Sequence, residues 1–132
     1  MRFTLTKNER LSSKKQIEKL FKEGKSYFSY PFRVIYLFND GQEEHETKIL
    51  LTVSKKKFKK AVDRNRIKRI IREAFRKNKM ILNDYLQENN KSLWLGLIYT
   101  GETIPSYQEA ERKLILILQR LIKQGETDGS SS

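Results

Sequence analysis

The strongest constraint on this chain lies in residues 55–79, where thirteen Lys and Arg side chains stand against two acids, Asp63 and Glu73. Threaded through the same stretch are Ile67, Ile70, Ile71, Ala74 and Phe75. Their spacing of i, i+3, i+4, i+7 and i+8 is the stripe of a helix that lays one side on a core. It predicts a helix over Arg64–Lys77, with Asp63 as its N-cap. Such a helix must dock by its apolar stripe and leave its cations in water. The formal net charge of +12 is therefore not spread over the molecule. This stretch holds +11 of it, and the other 107 residues together hold +1.

A concentrated cationic surface implies a polyanionic partner: nucleic acid, an anionic membrane or an acidic protein. Arg64, Lys68, Arg72 and Arg76 recur every four residues and predict a charged ridge along the exposed side, widened by Arg66, Arg69 and Lys77. Arginine forks take phosphate in a bidentate way, whereas lysine acts as a point charge, so the arginine content favours phosphate recognition. The length of 132 residues fits one domain with a real core. Residues 1–124 are expected to form it, followed by a disordered polar tail over 125–132. No apolar run is long enough to span a membrane, and the first residues lack the apolar run of a secretion signal. With no cysteine in the chain, disulfides, thiolate metal sites and cysteine nucleophiles are excluded, and a reducing cytoplasm is the expected setting.

The pattern predicts an α+β protein, a small sheet packed with helices, in the order helix, strand, strand, helix, strand, helix. The first helix is expected over Leu11–Gly24, with Ser12 or Ser13 as cap, Ser13 and Gln16 as a capping box, and Gly24 as stop. Residues 27–31 read as an aromatic connector. Phe32–Phe38 is a strand with Phe32, Val34, Tyr36 and Phe38 on one side and Arg33, Ile35 and Leu37 on the other. A polar turn through Glu46 leads to a second strand, Thr47–Ser54, expected antiparallel to the first. Residues 55–62 are either a strand end or a loop. A helical turn or two over Met80–Asn90 precedes an apolar strand, Ser92–Thr100. Ser106 and Glu109 then open a last helix as a second capping box.

Nothing in the chain suggests an active site of its own. The single histidine, His45, sits in the polar turn, and no phosphate-binding glycine loop is present. No catalytic and no metal-ligating residue is expected. Six aromatics, Phe21, Tyr27, Phe28, Tyr30, Phe32 and Tyr36, lie among cations and can either pack in the core or stack on unpaired bases.

Residues 53–76 read VSKKKFKKAVDRNRIKRIIREAFR. This resembles the signature of the bacterial ribonuclease P protein component, a basic Arg-Asn-Arg helix carried here by Ala61, Val62, Arg64, Asn65, Lys68, Arg69, Arg72 and Glu73. The resemblance covers roughly residues 8–122. It implies an α–β sandwich with a left-handed crossover, and a monomeric protein that binds a large catalytic RNA holding the active site. The two together would remove the 5′ leader of precursor tRNA, with Mg2+ required by the RNA–protein holoenzyme. Arg64, Asn65, Arg66, Lys68, Arg69, Arg72 and Arg76 are then expected to contact the catalytic RNA. Phe21, Tyr36, Lys55, Lys56 and Lys57 are expected to line a cleft for the leader between the first helix and the sheet. The other readings weighed are a ribosome-associated or structural RNA-binding protein and a protein-only nuclease, the latter disfavoured by the lack of an acidic cluster.

Overall fold

The computed structural model describes residues 10–11, 13–40 and 47–130. Alternation within β2 (Phe32–Asp40) divides the molecule into layers. Phe32, Val34 and Tyr36 enter the main core, while Ile35 and Leu37 enter a smaller one on the opposite side of the sheet. The remaining elements are α1 (Lys14–Glu23), β1 (Lys25–Ser29), β3 (Thr47–Val53), α2 (Ala61–Asn78), α3 (Met80–Glu88), β4 (Lys91–Tyr99) and α4 (Tyr107–Ser130). The helices α2, α3 and α4 cover the main core through Ile67, Phe75, Leu82, Leu86, Leu114 and Leu118. The other face carries α1, whose Leu20 packs with Leu11 and Ile35.

The sheet is mixed, in the order β1-β2-β4-β3. β1 pairs antiparallel with β2, β2 antiparallel with β4, and β3 parallel with β4. The second strand thus runs opposite to the first, as expected, but does not touch it. The most apolar strand, β4, has taken the centre, where both faces are covered. α2 and α3 form the crossover between the parallel pair.

Several local expectations are corrected. Residues 25–29 form an edge strand paired with β2, although a run of serines and aromatics gives little alternation to read. α1 begins at Lys14, and Ser13 makes no side-chain capping bond; Ser12 lies outside the described residues. Gly24 does end α1, but in an extended conformation. It is glycine because a Cβ there would collide with the carbonyl oxygens of Leu20 and Tyr36. α2 begins at Ala61, so Lys60 is its N-cap and Asp63 lies in the first turn, where a negative charge suits the helix dipole. Ser106 does cap α4, its Oγ accepting the Glu109 N–H at 3.2 Å. That helix continues past residue 124. Gly125 is buried, its carbonyl accepts the Lys91 ammonium at 3.2 Å, and a Cβ there would strike the Tyr85 hydroxyl. The acidic turn with His45 lies outside the described residues.

Candidate nucleic-acid interface

The cationic helix meets the core with Ile67, Ile71, Ala74 and Phe75. Its cations do not form one straight ridge. Each four-residue step advances about 40° beyond a full turn, so the row Arg64, Lys68, Arg72, Arg76 winds around the helix. It starts near the core at Arg64 and drifts outward, and all four side chains are half-buried. The fully outward positions are Val62, Asn65, Arg66 and Arg69, with Lys77 beyond them. Arg64 is committed within the protein: its guanidinium donates to the carbonyls of Phe58 at 2.6 Å and Lys59 at 2.9 Å. It fixes the loop into α2. Arg72 is held below its ordinary pKa, chiefly by burial and then by the nearby cation of Arg10, which enters by a parallel bridge to Ile49.

A second surface lies on the opposite side of the sheet. α1 crosses the sheet with Leu20 over Gly96. The Lys19 ammonium stands 5.6 Å from the Trp94 ring, on one side of that crossing. Phe21 lies about 200° around the helix from Lys19 and so faces the other side of the crossing. There the strand register sets Phe28, Arg33, Ile98 and Thr52 side by side across all four strands. Most of this row is open: Phe28 is 57% exposed and Arg33 and Thr52 are exposed, while Ile98 is half-buried against the Leu20 cluster. Phe21 is 51% exposed.

Tyr36 is not part of this surface. It is 4% exposed on the main-core face, with its hydroxyl donating to Gln124 Oε1 at 3.3 Å. Strand side chains alternate, so a step of one residue places Ile35, not Tyr36, beneath α1. The exposed row instead carries Phe28 and Arg33, and their sequence signal was their alternation with Tyr27 and Val34. Lys55, Lys56 and Lys57 are exposed in the turn just beyond Thr52, at the end of the open row. The Lys57 ammonium donates to the Thr100 carbonyl at 2.5 Å, which ties this turn to the end of β4.

Among the described residues, no three His, Cys, Asp or Glu side chains gather closely enough to hold a metal ion. No helix among them is long and apolar enough to cross a membrane. An outward arginine face on one side and an aromatic, cation-bearing row on the other fit a nucleic-acid-binding α+β protein.

Similarity to known proteins makes this specific. A family model described as Ribonuclease P matches residues 5–121. The ribonuclease P protein component of Porphyromonas gingivalis is 38% identical over 119 residues, covering 90% of this chain and 87% of that protein. That of Chlorobaculum tepidum is 30% identical over 127 residues, covering 89% and 82%. The solved ribonuclease P protein of Thermotoga maritima superposes with a TM-score of 0.68 at 27% identity, covering 85% of this chain and 96% of that one. The Staphylococcus aureus protein, at 23% identity and a TM-score of 0.65, shares the fold. The chain belongs to the bacterial ribonuclease P protein family. It is the RNA-binding protein component of a ribonucleoprotein endonuclease of tRNA processing, and an RNA subunit is its partner.

Proposed function

We propose that the two surfaces divide the work between two RNAs. The outward face of α2, with Asn65, Arg66 and Arg69, docks on the folded catalytic RNA, where shape and backbone contacts dominate recognition. Lys68, Arg72 and Arg76 supply flanking charge, and Arg64 holds the α2 entry in place. The single-stranded 5′ leader of precursor tRNA lies along Phe28, Arg33, Ile98 and Thr52, under Phe21, and leaves past Lys55–Lys57. The observation that carries this reading is the placement of the two surfaces on opposite faces of one sheet. One protein can then touch both RNAs at once and add affinity for the precursor that the mature product lacks.

Hydrolysis in this scheme belongs to the RNA subunit, and Mg2+ is held there. The protein's contribution is to bind, orient and neutralise phosphate charge. Cleavage of precursor tRNA by the cognate catalytic RNA should therefore be stimulated by this protein most strongly at low magnesium. Absence of stimulation would overturn the proposal.

The leader surface has its own test. Phe28→Ala should lower the preference for leader-bearing over mature tRNA by about 1–3 kcal/mol if its ring stacks on a base. Phe21→Ala should act in the same direction. A matching loss for both RNAs would remove these rings from the leader path. Tyr36→Phe serves as the contrast. It should keep the preference and cost about 0.5–1.5 kcal/mol of stability, read from the denaturant midpoint, because one hydrogen bond is removed.

A further inference from the structure

A cavity of about 210 Å³ opens at the end of the sheet, between the β1–β2 turn and the first turns of α4. It lies apart from both surfaces assigned above. Its walls are Tyr30, Pro31, Tyr99 and Pro105, with Glu109 and Arg112 at the rim. Lys113 completes the lining on the α4 side. The volume is below the range of about 300–1,000 Å³ usual for drug-sized ligands, so it suits a single ring system.

The tyrosine and proline walls present flat faces, which suits a planar ring, and the rest of the lining is polar. Tyr30 is 60% exposed and edges the mouth. Tyr99 is buried behind it and donates its hydroxyl to the Thr103 carbonyl at 2.7 Å, which fixes the back wall. Tyr30, Tyr99 and Glu109 line the same space, and burial, then Tyr30 and Glu109, raise the Tyr99 pKa. Glu109, Arg112 and Lys113 lie three and four residues apart on one side of α4. The rim therefore offers a carboxylate acceptor beside two cations.

We infer that this cavity is a nucleotide pocket that takes one unpaired RNA base, with guanine favoured. The ring slides between Tyr30 and the proline walls, and Arg112 and Lys113 meet the backbone phosphate. Glu109 accepts from the base edge. Guanine presents two adjacent donors there, the N1–H and the N2 amino group, which match the two carboxylate oxygens. Uracil presents one N–H between two carbonyls, which a carboxylate repels. The occupant is RNA because the pocket adjoins the β1 end of the open row at the β1–β2 turn: Phe28, the ring at that end, contacts Tyr30 edge-on at 6.2 Å between centroids. The same turn is tied to the lysine loop, since Thr100 donates to the Pro31 carbonyl and accepts Lys57. The nucleotide that fills the pocket is then the one beyond the Phe28 end of the row, opposite the end that leaves past Lys55–Lys57; this path rests on the leader reading above.

Isotope-labelled full-length protein titrated with 5′-GMP, 5′-UMP and inorganic phosphate tests the pocket directly. The amide signals of Thr103, Ala110 and Lys113 should move together with 5′-GMP on one saturating curve, about fivefold or more tighter than with 5′-UMP. Phosphate alone should leave Thr103 and Ala110 in place. Glu109→Gln should remove the difference between the nucleotides, and Tyr30→Ala should weaken both. Equal affinity for the two nucleotides, shifts confined to Lys55–Lys57 and α2, or full reproduction by phosphate would each overturn the inference. The titration involves no leader, whereas the leader reading is judged by precursor preference in the holoenzyme, so either can fail alone.

Discussion

Replacing Arg66 and Arg69 together by alanine should weaken binding to the catalytic RNA by about 10–100-fold at low salt and flatten its salt dependence. The slope of log affinity against log salt should fall by about 0.7–0.9 for each phosphate no longer neutralised, because every neutralised phosphate releases condensed counterions. Both side chains are exposed on the outward face of α2 and carry no packing role. The folded protein should therefore keep its stability to within about 0.5 kcal/mol. Equilibrium binding over a range of salt concentrations reads the effect. An unchanged slope would remove these residues from the interface. Arg64 is the poorer choice for this experiment. Its guanidinium holds the carbonyls of Phe58 and Lys59, so Arg64→Ala disturbs the entry to α2 as well as the charge.

Phe75→Ala should produce the opposite pattern. Phe75 is fully buried in the main core, on the inward face of the same helix. Truncating it removes its burial energy and leaves a cavity, at a cost of about 3–5 kcal/mol. Against a typical total of about 5–15 kcal/mol, that is a large share of the stability. The urea midpoint should fall while the slope with denaturant stays the same. At temperatures where the variant remains folded, the salt slope of RNA binding should match the parent protein. These two outcomes together would separate the faces of α2, and a variant that changed both readouts would show that the faces are coupled.

Much of this division is local and was legible. The stripe from Ile67 to Phe75 repeats with the helical period, so the inward side of α2 follows from spacing alone. The Ser106 cap follows from a residue type and its distance to Glu109. The alternation in β2 separates Tyr36 from Ile35 equally well. What spacing does not say is which set lies beneath α1, because that depends on a helix docking from elsewhere in the chain. The expected place of Tyr36 in the cleft failed for this reason, and Phe28 and Arg33 took the position. The four-residue arginine row misled in another way: equal spacing in sequence is a winding path on the surface, and it carries Arg64 into the protein.

The sequence by itself determined the helices, the other three strands of the sheet, the concentration of charge and the family, because these depend on residue order within short windows; the edge strand β1 was not among them. The tertiary structure alone decided that β4 stands between β2 and β3, since strand pairing joins residues far apart in the chain and the most buried strand takes the centre. It also decided that Phe28, Arg33, Ile98 and Thr52, drawn from four separate strands, form one exposed row. Register across a sheet sets that row, and no window of sequence contains it.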